Sequence, residues 1–283
     1  MTDQKTIVIT GASDGIGLES ASQLAAQGHH VVIVGRSPDK VAAAVKRIRH
    51  ESPEVPVESF VCDFASFAAV RDLADQLLAS YPRIDVLVSN AGTVFDKRTL
   101  TGDGNEATFQ VNHLSGFLLT ELLLDRLVAS APARIVITSS VGSYRGKLDL
   151  DDLGFERGYS IMRAYDRSKL SNVLYTRELA DRLHGTDVTA NCLHPGAVAT
   201  NIWSGAPWFA RPVLELAKRV FMEKPETGGS RLTYLATSPD VEGLSGGYYE
   251  KNRLKEPAAL AQDATLGKQL VERSRELAGL TSV

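Results

Sequence analysis

Short apolar runs and stretches of helical period alternate along the chain from its start. Thr6 to Thr10 is a β-branched run without proline, the pattern of a buried strand. From Leu18 to Gly28 the apolar Ala21, Leu24 and Ala25 recur at helical spacing, and Gly28 closes the segment as a helix cap would. The alternation continues with a strand over 30–34, a helix over 41–51, a strand over 57–62 and a helix over 67–80 that turns Val70, Leu73, Ala74 and Leu77 inward. A strand over 84–88, a long helical stretch over 105–130 and a strand over 134–138 come next. A loop over 144–162 leads to a helix that opens near Ala164 and runs through Leu183, and then to a strand over 186–193. The last third holds an aromatic-rich segment over 201–224, a helix over 225–237, a final strand over 246–250 and a helix over 258–278.

Strands that alternate with helices are joined by right-handed crossovers. The pattern therefore predicts an α/β fold: one doubly wound domain over residues 1–283, with a parallel seven-stranded sheet in the order 3-2-1-4-5-6-7 and helices on both faces. With 283 residues, 43% hydrophobic and 23% charged, the chain has ample core for that architecture. A formal charge of −3 without a basic block argues against a nucleic-acid partner or an anionic membrane and leaves small-molecule chemistry. Cys62 and Cys192 lie in apolar strand-like runs and read as packing residues, so neither a disulfide nor a metal site is expected and a reducing cytosol fits. No apolar run approaches the roughly 20 residues that cross a bilayer, so a cytoplasmic protein without a membrane partner is expected.

Candidate chemistry gathers where predicted strands end. Gly11-Ala12-Ser13-Asp14-Gly15-Ile16-Gly17 links the first strand to the first helix. There Gly11 permits a tight turn, Gly15 lets backbone approach a pyrophosphate, and Gly17 allows the helix to pack on the strand, with free N–H groups facing the anion. The second strand ends in Gly35-Arg36 with no acid beside it. A carboxylate there would suit the ribose hydroxyl of NAD, whereas a guanidinium suits the 2′-phosphate of NADP, which predicts NADP(H). Tyr165 and Lys169 are four apart and share one helical face, where an ammonium would favour phenolate and bring a phenol of pKa about 10 toward a working range. Ser140, at the end of the fifth strand, would point into the crevice where open α/β sheets bind ligands, with Ser139 as the fallback. Asn112 stands in a helix that its side chain disfavours unless it has other work. His113 beside it reads as packing or surface.

The Gly-x-x-x-Gly-x-Gly spacing after Thr10, followed in order by Arg36, Asp63, Asn90-Ala91-Gly92, Asn112, Ser140, Tyr165, Lys169 and Pro195-Gly196, resembles the short-chain dehydrogenase/reductase family and its Rossmann fold. The 24 residues between Ser140 and Tyr165, the Gly35-Arg36 ending and the tail from Ala261-Gln262-Asp263 to Glu272-Arg273-Ser274 look like the retinol-dehydrogenase-like branch, without its membrane anchor. The resemblance implies a catalytic set of Asn112, Ser140, Tyr165 and Lys169. Tyr165 would pass a proton to or from a carbonyl oxygen that Ser140 steadies, Lys169 would lower the phenol pKa and hold the nicotinamide ribose, and Asn112 would position a relay water. It also implies cofactor contacts from Gly11, Ser13, Asp14, Gly15, Ile16, Gly17, Arg36, Asp63, Phe64, Asn90, Ala91, Gly92, Tyr165, Lys169, Pro195, Gly196, Val198 and Thr200. Asp63 either bonds the adenine or caps the helix that opens at Ser66.

The expected activity is the NADP(H)-dependent interconversion of a carbonyl and an alcohol on a small apolar substrate, under an aromatic lid over 201–224 and with a homodimer or homotetramer possible. An NADP-binding regulator without chemistry is the competing class, yet such relatives lose the Tyr or Lys that this chain retains. An epimerase or dehydratase would carry tighter glycine spacing and a larger C-terminal domain, and an NAD-preferring alcohol dehydrogenase would share the fold.

Overall fold

The computed structural model describes residues 4–196 and 223–280. Thr6–Thr10 forms β1, in which Ile7, Val8 and Ile9 are all fully buried, as happens when both faces of a sheet are covered. The period-two alternation divides them between two cores. Val8 joins Leu73, Leu77, Leu118 and Leu123 on one face, while Ile7 and Ile9 join Leu24, Leu232 and Leu235 on the other.

The chain continues through α1 (Gly15–Ala26), β2 (His30–Gly35), α2 (Pro38–Glu51), β3 (Val57–Val61), α3 (Phe67–Ser80) and β4 (Val86–Ser89). One α-helical turn, Ala107–Phe109, and a π-helical segment, Gln110–Leu114, precede α4 (Ser115–Ala129) and β5 (Ala133–Thr138). Then come α5 (Ile161–Arg182), β6 (Val188–His194), α6 (Pro225–Thr237), β7 (Tyr248–Glu250), β8 (Arg253–Lys255) and α7 (Ala264–Leu277). Hydroxyls and carboxylates start the helices where the sequence offers them: Ser37 caps α2, Ser66 caps α3 and Asp263 caps α7 by accepting backbone N–H groups.

The sheet runs β3-β2-β1-β4-β5-β6-β7-β8. Its first seven strands are parallel and in the expected order, with Val8 opposite Val32 of β2 and Leu87 of β4, so that the strand order reverses beside β1. The seven-strand expectation needs one correction. An eighth strand adds antiparallel to β7, with Tyr249 opposite Leu254. Lys251 and Asn252 between them take φ of +50° and +59°, the two left-handed positions of a type I′ hairpin. Lysine does not advertise that conformation, and the turn therefore left no mark in the residue pattern.

Two helices also differ from the expected spans. The stretch over 105–130 is interrupted by the π segment, and its start is capped by Glu106, whose carboxylate accepts from Thr108 and Phe109 N–H at 2.9 and 2.8 Å. The C-terminal helix begins only at Ala264, after a 3-10 turn over Ala259–Gln262. On the second face α6 lies close against α1, because a Cβ at Gly229 would come within 2.8 Å of the Ser20 nitrogen. Among the described residues no helix is long and apolar enough to cross a membrane, and no group of three or more His, Cys, Asp or Glu is arranged to hold a metal. Val198, Thr200 and the segment over 201–222 lie outside the described residues.

Candidate functional site

The glycine turn is folded hard against the end of β4. Gly11 and Gly15 have φ of +67° and +58°, where a side chain would be strained. A Cβ at Gly11 would sit 2.8 Å from Ala91 Cα, and one at Gly17 would run into the Gly11 carbonyl and come 2.7 Å from Asn90 Nδ2. Asp14 caps α1, accepting from Gly15 N–H at 2.8 Å, and its carboxylate pairs with Lys40 at 3.0 Å. The N–H groups of Ile16 and Gly17 have no acceptor among the described residues, so the open end of α1 presents donors and the positive end of its dipole. This cradle fits a dinucleotide pyrophosphate: it has no Cβ to intrude, and Lys40 offsets the one acid beside it.

The adenosine side is built at the ends of β2 and β3. Ser13 rests on Gly35, where an added Cβ would come 2.6 Å from Ser13 Oγ. Arg36, the next residue, is exposed and makes no hydrogen bond or ion pair among the described residues. Asp63 accepts from Ala65 N–H at 3.0 Å, and Ser66, accepting from Ala69 at 3.3 Å, is the cap of α3. Of the two readings of Asp63, the helix cap therefore falls to Ser66. Phe64 is buried, and its carbonyl accepts from Ser115 Oγ at 2.6 Å.

Asn90 ties three strands together. Its Nδ2 donates to the carbonyls of Thr10 and Gly11 at 3.1 and 3.3 Å, and its Oδ1 accepts from Thr138 Oγ1 at 3.1 Å. Thr10 Oγ1 in turn accepts from the N–H groups of Asn90 and Ala91 at 2.9 and 3.0 Å. The ends of β1, β4 and β5 are thereby locked before any ligand arrives. Gly92 follows, and a Cβ there would meet Asn112 Oδ1 at 3.3 Å and Lys169 Nζ at 3.6 Å.

The structure brings Asn112, Ser140, Tyr165 and Lys169 to this one place. The Ser140 hydroxyl acts on the Tyr165 phenol and favours its phenolate, and the Ser140 oxygen accepts from Gly142 N–H at 3.1 Å. Ser139, the fallback, is turned away, since its hydroxyl donates to the Lys169 carbonyl at 2.7 Å. Lys169 is buried, donates to the Thr138 carbonyl at 3.1 Å and lies 5.7 Å from the centre of the Tyr165 ring. Asn112 sits on the π segment; its Oδ1 accepts from Thr93 N–H at 2.7 Å and its Nδ2 donates to Ser168 Oγ at 3.1 Å.

Electrostatics at this cluster depart from expectation in one respect. Burial holds the Tyr165 phenol above its ordinary value, partly offset by the Ser140 hydroxyl, while Asp166 raises it and Arg145 lowers it. The Lys169 ammonium, 5.7 Å from the ring, is not among the groups that shift the phenol in this arrangement. The lysine itself is pushed down to about 8 by burial.

The Pro195-Gly196 turn closes the far side, with Gly196 at φ +101°. Arg231 of α6 holds it by donating to the Pro195 carbonyl at 2.6 Å, and pairs with Glu223 at 2.5 Å. His194, at the end of β6, is half-buried and kept neutral by desolvation, in line with a strand-end structural residue. Sequence reasoning missed Arg231, Thr138, Lys40 and the pair, 3.0 Å apart, between buried Asp166 and exposed Arg145. For Arg231, buried beside Leu232 and Leu235 on α6, a polar residue on an apolar helix face is the available signal.

Known proteins resemble this chain in sequence and in fold. The model of the short chain dehydrogenase family matches residues 5–207. Mouse retinol dehydrogenase 14 is 40% identical over 288 residues, covering 98% of this chain and 86% of that protein. A crystal structure of an uncharacterized protein from Mycobacterium paratuberculosis superposes with a TM-score of 0.79 at 30% identity, over 98% of this chain and 94% of the other. A short chain dehydrogenase from Shigella flexneri 2a str. 301, complexed with NADP, gives a TM-score of 0.68 at 25% identity, over 88% and 97%. With the glycine cradle, the strand order and the Ser–Tyr–Lys cluster all in place, the chain belongs to the short-chain dehydrogenase family, oxidoreductases that act between alcohols and carbonyls with a nicotinamide dinucleotide.

Proposed function

We propose that the protein is an NADP(H)-dependent oxidoreductase that interconverts a ketone or aldehyde and the corresponding alcohol on a small apolar substrate. The observation that carries this reading is the meeting of Ser140, Tyr165 and Lys169 at one place, with the Ser140 hydroxyl acting on the Tyr165 phenol and the buried Lys169 Nζ 5.7 Å from its ring. Such a pair of hydroxyls can meet one substrate oxygen: Tyr165 gives or takes its proton, and Ser140 donates a second hydrogen bond to it. Burial keeps the phenol protonated at neutral pH, which poises Tyr165 to donate to a carbonyl oxygen. Lys169 places a cation beside Gly92 and Asn112, where a ribose hydroxyl would find it, and Asn112 fastens the β4 loop to α5. When bound, the nicotinamide supplies or accepts the hydride at its C4.

The preference for NADP(H) rests on Arg36, an exposed guanidinium at the end of β2 without an acid beside it, and agrees with the NADP bound by the Shigella relative. Gly11, Ser13, Gly15, Ile16 and Gly17 would hold the pyrophosphate, while Val198 and Thr200 remain candidates by position alone. Residence in the cytosol belongs to the same proposal, with cell fractionation as its check.

The test is NADPH oxidation against a panel of aldehydes, aromatic ketones and steroids. Tyr165→Phe and Lys169→Ala should lower turnover by about 10²–10⁴-fold with NADPH binding retained; unchanged rates would refute the assignment. Arg36→Ala should raise KM for NADPH far more than for NADH, and equal effects would remove the cofactor preference.

A further inference from the structure

Behind the candidate site, buried polar side chains form a hydrogen-bonded chain whose direction the geometry dictates. Asn172 Nδ2 lies 3.0 Å from the Asn112 carbonyl oxygen and 3.0 Å from that of Thr138. Two carbonyls can be met only by a donor, so the amide nitrogen faces them and Oδ1 faces His113 Nδ1, 3.0 Å away. An amide oxygen only accepts, hence Nδ1 carries the imidazole proton. Nε2 is then an acceptor, and Ser274 Oγ, 3.0 Å from it, is the donor. Ser274 stands on α7, fully buried, while His113 and Asn172 are 1% and 5% exposed. Phe109, Phe117 and Tyr175 surround the imidazole with rings, and among the described residues the charge that acts on it is Lys169.

The far end of this chain is the candidate site itself. The Thr138 carbonyl that receives Asn172 also receives Lys169 Nζ, and the Asn112 carbonyl belongs to the π segment that carries the Asn112 side chain. One amide therefore fixes both the anchor of the lysine and the turn that presents the asparagine. Apolar side chains would fill the same space without desolvating three polar side chains, so the polar chain is retained for the single geometry it imposes.

We propose that Asn172 is a positioning residue of the active site, aligned by His113 and Ser274, so that α7 completes the site from behind. This rests on the redox reading of Tyr165 and Lys169.

Two measurements test it and separate it from that reading. In protein labelled with ¹⁵N histidine, NMR should show His113 as the Nδ1–H tautomer at neutral pH; an Nε2–H tautomer or an imidazolium would overturn the chain whether or not the protein turns over. With benzaldehyde and NADPH, Asn172→Leu should lower kcat by about a hundredfold and Ser274→Ala by about tenfold, with KM for NADPH within about twofold. Ser274→Thr should restore most of the loss. Ser274→Ala removes a single oxygen and keeps the test open if Asn172→Leu does not fold. Unchanged kcat in a folded variant, or a loss that falls on KM instead, would overturn the proposal. An Nδ1–H tautomer in a protein that never oxidises NADPH would count against the redox reading and in favour of the hydrogen-bond chain.

Discussion

Lys169 is buried at a cost that can be measured. Only 2% of it is exposed, and burial brings its ammonium from 10.5 down to about 8. The folded protein therefore binds fewer protons than the unfolded chain between those two values, so this group makes the fold more stable as pH rises across that window and exerts its full penalty below about 8. The shift corresponds to roughly 3 kcal/mol, and the hydrogen bond to Thr138 offsets about 1 kcal/mol of it. Lys169→Met should accordingly stabilise the fold by about 2 kcal/mol at pH 7, with the gain fading as pH rises from about 8 to 10.5, while abolishing turnover; urea denaturation at pH 7 and pH 10 checks it. Tyr165 gives a second expectation at this scale. Because burial raises its phenol above 10.0, alcohol oxidation, which needs the phenolate, should still be climbing at pH 9, whereas carbonyl reduction should persist across neutral pH. Initial rates in both directions across pH would show it, and oxidation that levels off near neutrality would contradict it.

Among the elements, the β1–turn–α1 unit has the least tolerance. A methyl group at Gly17 would collide with the Gly11 carbonyl and Asn90 Nδ2, so Gly17→Ala should cost about 1–3 kcal/mol of stability and weaken dinucleotide binding, read by thermal melts with and without NADPH. The β7–β8 hairpin has slack in the other direction: Lys251 is held at φ +50°, and Lys251→Gly should raise stability by about 0.5–1 kcal/mol. These two units also show what the sequence reveals and what it withholds. The glycine turn and the Tyr165–Lys169 pair are legible because their chemistry is local, within one turn or one helical repeat. The hairpin was not, since Lys251 adopts a conformation its residue type disfavours. Neither was the π segment, which widens a single turn and leaves the apolar period nearly intact. Arg231 and Asn172 act on partners 36 and 60 residues away, and no window of residues contains both ends of such a contact.

At the scale of the whole molecule, both thiols belong to one core, with Cys62 and Cys192 only 3% and 0% exposed and each pushed up to about 12. Neither should react with a thiol reagent in the native protein. Labelling of both is expected to follow global unfolding with the same denaturant dependence, and fast reaction of either one in native buffer would contradict this. The added strand at the rim of the sheet has a different consequence. Arg253 and Lys255 stand on β8, exposed to solvent. Two copies approaching rim to rim would set like charges against each other along the row of unpaired backbone groups, which discourages growth into a continuous ribbon. Joining of copies would then fall to the helical flanks.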